Sequence, residues 1–191
     1  MLPHNSTDKS NLIILASSVL ISVSSFLSGY FSHPLFLDKW MNFVKGYINE
    51  IPFNFFSIFI NNFFISFLMI SGGFIFGLPT LFFAGLNFFS LGVSSRYFIE
   101  KFGAIIFFIS IIPHGIFELT GVFLSLFYGI RIFVDFMLKS SARNLDCNLS
   151  ANRMILKLKR YILTVLPLFF IAALIEVYIT PLIIAYVISH R

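Results

Sequence analysis

Charge is what this chain has least of. Lys, Arg, Asp and Glu make up 11% of its 191 residues, 58% are hydrophobic, and the mean hydropathy is +0.94. No water-soluble domain of this size hides so much apolar surface, so the class is integral membrane protein. Cysteine is nearly absent. Cys147 is alone, which excludes a disulfide framework within one chain and reads as an ordinary cytosolic thiol. There is no Gly-rich phosphate loop, no H-E-x-x-H pair and no defensible Ser/His/Asp arrangement. No polar stretch is long enough to fold as a separate soluble domain, and there is no internal repeat. Phenylalanine is abundant, at 28 residues, but that count fits codon bias in an AT-rich genome and carries no functional weight.

The charge that is present is uneven. The net charge is +5, and Arg131, Lys139, Arg143, Arg153, Lys157, Lys159 and Arg160 fall in one segment. On a soluble protein such a patch points to nucleic acid. Flanking apolar spans it reads as a topology signal, with attraction to anionic lipid as a side effect, and no nucleic acid is expected.

The hydrophobic pattern predicts an all-α, polytopic transmembrane bundle of about five spans, forming a single membrane domain. The spans are expected at about 12–31, 53–73, 79–97, 103–128 and 161–188. The first is long for a signal-peptide core and is read as uncleaved. Between it and the second, Asp38 is a good N-cap for a short amphipathic helix over 38–50, lying in the outer interface with Trp40 and Tyr47 at headgroup level. A partner-binding helix is the alternative. Pro52 opens the second span, and Gly72, Gly73 and Gly77-Leu78-Pro79 make a turn so short that spans two and three form an antiparallel hairpin. Arg96, Glu100 and Lys101 mark the next loop. Residues 136–160 read as a basic cytoplasmic loop, helical from Ser150. Pro113 is expected to kink or split the fourth span, with Gly115 beside it, and Pro167 and Pro181 interrupt the fifth. With 136–160 cytoplasmic, five spans put the N-terminus inside and the C-terminus outside a plasma membrane.

Against this background a few polar residues stand out within the spans: Asn61, Asn62, Asn87, His114, Glu118 and Glu176. His114 and Glu118 are four apart, about one helical turn, and share a face. A carboxyl group in lipid is costly and marks a functional-site hypothesis. Depth counted at about 1.5 Å per residue predicts two polar levels. Glu176 lies with Asn61 and Asn62 in the outer half, Glu118 with Asn87 in the inner half, and His114 between them. Four readings remain open: a structural polar core, a proton or ion pathway, a zinc peptidase, or a site for a substrate of unknown class. The peptidase reading lacks a third ligand, because His4, His33 and His190 are terminal or in loops. No metal, cofactor or catalytic residue is therefore expected. Arg131 and Asp135, also four apart, read as an ion pair at the cytoplasmic end of the fourth span.

The stretch Pro113-His114-Gly115-Ile116-Phe117-Glu118-Leu119 resembles the P-H-G-x-x-E-L motif of the stage II sporulation protein M family. Ala172 to Pro181, with Glu176 and a closing Thr180-Pro181, resembles its later small-apolar run with Glu and Thr-Pro. Asn61-Asn62 matches the family's paired asparagine. Asn87 matches a family Asn-Gly, except that Phe88 stands where the glycine belongs. The resemblance spans about residues 53–188. It implies a five-span membrane protein without known catalysis, acting with cell-wall hydrolase partners during engulfment in spore formers, and it marks His114, Glu118 and Glu176 as the positions that matter. A sporulation role does not follow from the resemblance alone. The functions expected are a non-enzymatic scaffold for cell-envelope partners or, alternatively, a small transporter or ion-pathway component.

Overall fold

The structure is a computed structural model that describes residues 4–50, 53–140 and 147–189. Among these the chain is helical and has no strand. The elements are α1 (His4–Tyr30), α2 (Pro34–Glu50), α3 (Phe55–Ser71), α4 (Leu78–Phe102), α5 (Ala104–Ser140), α6 (Cys147–Leu174) and α7 (Thr180–Ser189). A 3₁₀ turn at Gly72–Phe74 follows α3, and a π-helical turn at Ile175–Ile179 joins α6 to α7. Five stretches are long and apolar enough to cross a bilayer: Lys9–Tyr30, Phe55–Phe74, Leu78–Phe102, Ala104–Met137 and Ile155–Val187.

Burial is inverted relative to a soluble domain. Large apolar side chains such as Leu20, Phe56, Phe82, Ile116 and Leu182 point outward. Ser18, Ser22, Ser66, Thr80, Ser95 and Ser125 are buried. Lipid tails are as apolar as leucine, so nothing drives Leu or Phe inward, and small or hydroxylated residues take the interfaces where helices approach closely. Helices α1 and α4 meet in this way. A Cβ on Gly92 would run into the Phe26 carbonyl, and one on Gly29 into the Phe89 carbonyl. Gly121 does the same for α5 and α6, leaving room for the fully buried ring of Phe169. The central core joins Met69 and Ile70 of α3, Ala84 and Phe88 of α4, Val122, Leu126 and Ile132 of α5, and Val165 and Phe169 of α6.

Helix ends follow local chemistry. Asn54 caps α3, its side-chain oxygen accepting from the Ser57 N–H at 3.0 Å. Phe76 (φ 52°) and Gly77 (φ 71°) turn the chain sharply into α4, where Pro79 sits in the first turn. Thr80 then donates back to the Met69 carbonyl at 2.7 Å, closing the α3–α4 hairpin.

Several boundaries differ from the sequence expectation. Helix α2 begins at Pro34, so Asp38 lies inside it and is not a cap; the His33 ring nitrogen Nδ1 accepts from the Leu35 N–H instead. Trp40 turns its indole N–H to Ser90 Oγ at 3.3 Å and its ring edge to Phe89, so it packs against α4. The Tyr47 side chain and Pro52 lie outside the described residues. Arg96, Glu100 and Lys101 stand on the last turns of α4, not in a loop. Arg96 pairs with Glu100 and donates to the Ser32 carbonyl, interactions that let a helix carry its charges past the apolar zone.

Helix α5 continues to Ser140 and α6 begins at Cys147, so most of the stretch 136–160 is helix, and 141–146 lies outside the described residues. Nor does Pro113 split its span. Helix α5 runs unbroken through Pro113 and Gly115. Helix α6 likewise runs on through Pro167, so of the two prolines expected to interrupt the fifth span only Pro181 follows a break. Pro181 has no N–H for the Val177 carbonyl and its ring crowds that group; the widened π turn immediately before it accommodates both.

Candidate functional site

Helix α5 presents His114 and Glu118 on one face, one turn apart. The π turn presents Glu176 from the opposite side. One ring nitrogen of His114 and one carboxylate oxygen each from Glu118 and Glu176 lie within 4.8 Å of one another, and all three residues are half-buried. The Thr180 hydroxyl, four residues beyond Glu176, meets Nδ1 of His114 at 3.3 Å. Thr180 itself is buried.

This is one polar level, not two. Glu118 stands about 14 residues, roughly 21 Å, from the start of α5. Glu176 stands about as far from the end of α7, at the same side of the bundle. The two-level expectation counted the two residues in from opposite membrane faces, with uncertain span ends, and so separated neighbours. Asn61 and Asn62 sit half-buried in the middle of α3, where Asn61 Nδ2 donates to Asn62 Oδ1 at 3.5 Å. Asn87 is half-buried in α4. Among the described residues no hydrogen bond links Asn87 to Glu118.

A cavity of about 660 Å³ adjoins the cluster. His114, Glu176 and Thr180 form its polar wall, with Phe98, Phe107 and Ser110 towards the Gly103 end. Glu118 is not among its lining residues. Beyond Glu118, towards the other end, the apolar core closes: Val122, Leu126, Val165 and Phe169 are at most 3% exposed. The Ser66 and Ser125 hydroxyls in this layer bond to each other, and Ser125 also bonds the Gly121 carbonyl at 2.7 Å.

The second charged site is larger than its sequence spacing indicates. Arg131 Nε stands 3.4 Å from Asp135 Oδ1, and Lys157 Nζ of α6 stands 2.5 Å from Asp135 Oδ2. Arg131 also donates to Ser10 Oγ at 2.7 Å and Asn11 Oδ1 at 2.6 Å on α1. Three helices are tied at one node. Sequence reasoning missed Lys157, Ser10 and Asn11, since nothing in local spacing marks partners 22 and about 120 residues away.

The family model for Stage II sporulation protein M matches residues 12–181, from the first apolar helix through Thr180-Pro181. The chain belongs to the stage II sporulation protein M family. An uncharacterized protein of Methanocaldococcus jannaschii is 36% identical over 152 residues, covering 76% of this chain and 82% of the relative. No solved structure matches. Family membership and the five apolar helices make the chain an integral membrane protein, from a family not known for enzymatic activity.

Proposed function

We propose that the protein is a non-enzymatic scaffold of the plasma membrane that organises cell-envelope partners, with its N-terminus in the cytoplasm and its C-terminus outside. The observation that carries this reading is the buried apolar layer beneath Glu118. A conducting route needs polar groups or water to continue through the bundle. Here Val122, Leu126, Val165 and Phe169 fill the next turns, and the hydroxyls among them are already bonded. The buried polar residues then serve to hold α5 and α6 in one geometry. The surfaces left for partners are the outward side of α2, where Leu35 and Phe43 are exposed, and the basic end of α5 and α6. The orientation rests on the cluster of Lys and Arg between 131 and 160.

The cavity that reaches His114 and Glu176 favours a second reading, a component of an ion or proton pathway open from the Gly103 end. Reconstitution decides between the two. Full-length protein in liposomes carrying a pH-sensitive dye is challenged with proton and cation gradients. The scaffold reading expects leak no greater than in empty liposomes. A flux abolished by Glu118→Gln or Glu176→Gln in folded protein overturns it.

A further inference from the structure

The His114–Glu118–Glu176 cluster has a composition and shape that neither a scaffold nor a sealed polar core requires. We propose that these three side chains bind one first-row divalent cation of the zinc type, holding α5 to the π turn, with one coordination position open to the cavity.

The donor set comes first. One imidazole nitrogen and two carboxylate oxygens suit zinc, with His nitrogen at about 2.0–2.1 Å and carboxylate oxygen at about 2.0–2.2 Å. Those bond lengths put donors roughly 3.3–3.5 Å apart around a tetrahedral ion. The three atoms here lie within 4.8 Å of one another, so the ligands would draw closer on binding.

Charge is the second argument. Two carboxylates close together inside a bilayer repel and are expensive to keep ionised. Among the described residues, no Lys or Arg pairs with either of them; the described ion pairs are Arg96–Glu100 and the Asp135 node. A dication cancels both charges with a neutral imidazole as the third ligand.

The third argument is orientation. Metal-binding histidines use their second ring nitrogen to bond a neighbouring polar group, which fixes the ring. His114 has that arrangement: Nδ1 meets the buried Thr180 hydroxyl at 3.3 Å, leaving Nε2 as the donor. Glu176 lies in the π turn and Thr180 is the first residue of α7 directly after it, so one short stretch of chain supplies both a ligand and the group that aims another. The cavity provides the last requirement, an entry path and room for a water in the fourth position.

The sequence offered no third ligand because the remaining histidines, His4, His33 and His190, are terminal or in loops. The third ligand is a glutamate, 58 residues beyond Glu118 in the chain.

The test uses full-length protein purified in detergent, stripped with chelator, reloaded with Zn²⁺ and desalted. Elemental analysis is expected to find one zinc per chain, and Zn²⁺ to raise the unfolding temperature of the stripped protein. His114→Gln, Glu118→Gln and Glu176→Gln are each expected to lose the zinc. Thr180→Val keeps the three ligands and is expected to weaken binding about 10–100-fold, the usual effect of removing a ligand's hydrogen-bond partner. Should the ligand variants fail to fold, Co²⁺ in the wild-type protein gives an independent readout, with visible absorption expected from a four-coordinate site. Wild-type protein that holds no stoichiometric zinc and shows no Zn²⁺-dependent stabilisation overturns the proposal. So does zinc retained in folded Glu176→Gln. Neither result depends on ion flux, so this site and the scaffold reading stand or fall separately.

Discussion

Asp135 accepts from α5 and α6, and Arg131 beside it carries the node on to α1. The Asp135 side chain is 11% exposed and meets both Arg131 and Lys157. Removing the charge leaves two cations facing each other across the α5–α6 contact, a larger loss than the value of either pair alone. Asp135→Asn is expected to cost about 1–3 kcal/mol, read as a lower unfolding midpoint in detergent. Lys157→Gln is expected to cost less, about 1 kcal/mol or below, because Lys157 is 39% exposed and its charge is screened. Equal losses would sink this account of the node. The i, i+4 half of the node was legible in the sequence because helical spacing alone puts Arg131 beside Asp135. The links to α1 and α6 were not, since they depend on which helices end up adjacent.

At the scale of elements, glycine does what apolar mass does in a soluble core. Gly92 and Gly29 bring α1 and α4 close enough for Cβ atoms to collide with backbone, and such a contact cannot give way as a flexible side chain can. Gly92→Leu is therefore expected to push α1 away from α4. Ser25 and Gly85 face each other across this seam, so cysteines there are expected to cross-link in the parent and not beside Gly92→Leu. Persistence of the cross-link would show that α1 is held by something other than close packing. Gly121→Val tests α5 and α6 in the same way. It is expected to destabilise by about 1–3 kcal/mol through collision with Phe169, and to be partly rescued by Phe169→Leu. The existence of these helices was legible from long apolar runs and the Pro and Gly that separate them. Their ends were not. Arg96, Glu100 and Lys101 resemble loop residues in a hydropathy profile, yet each is paired or bonded on a helix that outruns its apolar stretch. Pro113 looked like a break and is carried within α5, whereas the altered turn lies before Pro181.

At the scale of the whole molecule, orientation decides which face each feature serves. In the proposed topology five crossings put the two ends of the chain on opposite sides, and helices α5 and α6 share the basic end. The cavity at His114 and Glu176 extends towards the other end, where α2 packs on α4 and Arg96 meets Ser32. If the positive-inside bias holds, a cation reaching the cluster comes from outside the cell, while partners drawn by basic charge come from within. Cys147, the sole cysteine, makes the test direct. In intact cells a membrane-impermeant maleimide is expected to leave Cys147 unlabelled and to label it only after permeabilisation. With Cys147→Ser as background, Lys39→Cys on α2 and Glu100→Cys on the last turn of α4 are expected to react in intact cells. Labelling of Cys147 in intact cells, with protection of Lys39→Cys and Glu100→Cys, would invert the orientation. The cavity would then face the cytoplasm, α2 would lose its role at the outer surface, and the envelope-facing contacts would have to come from the basic end.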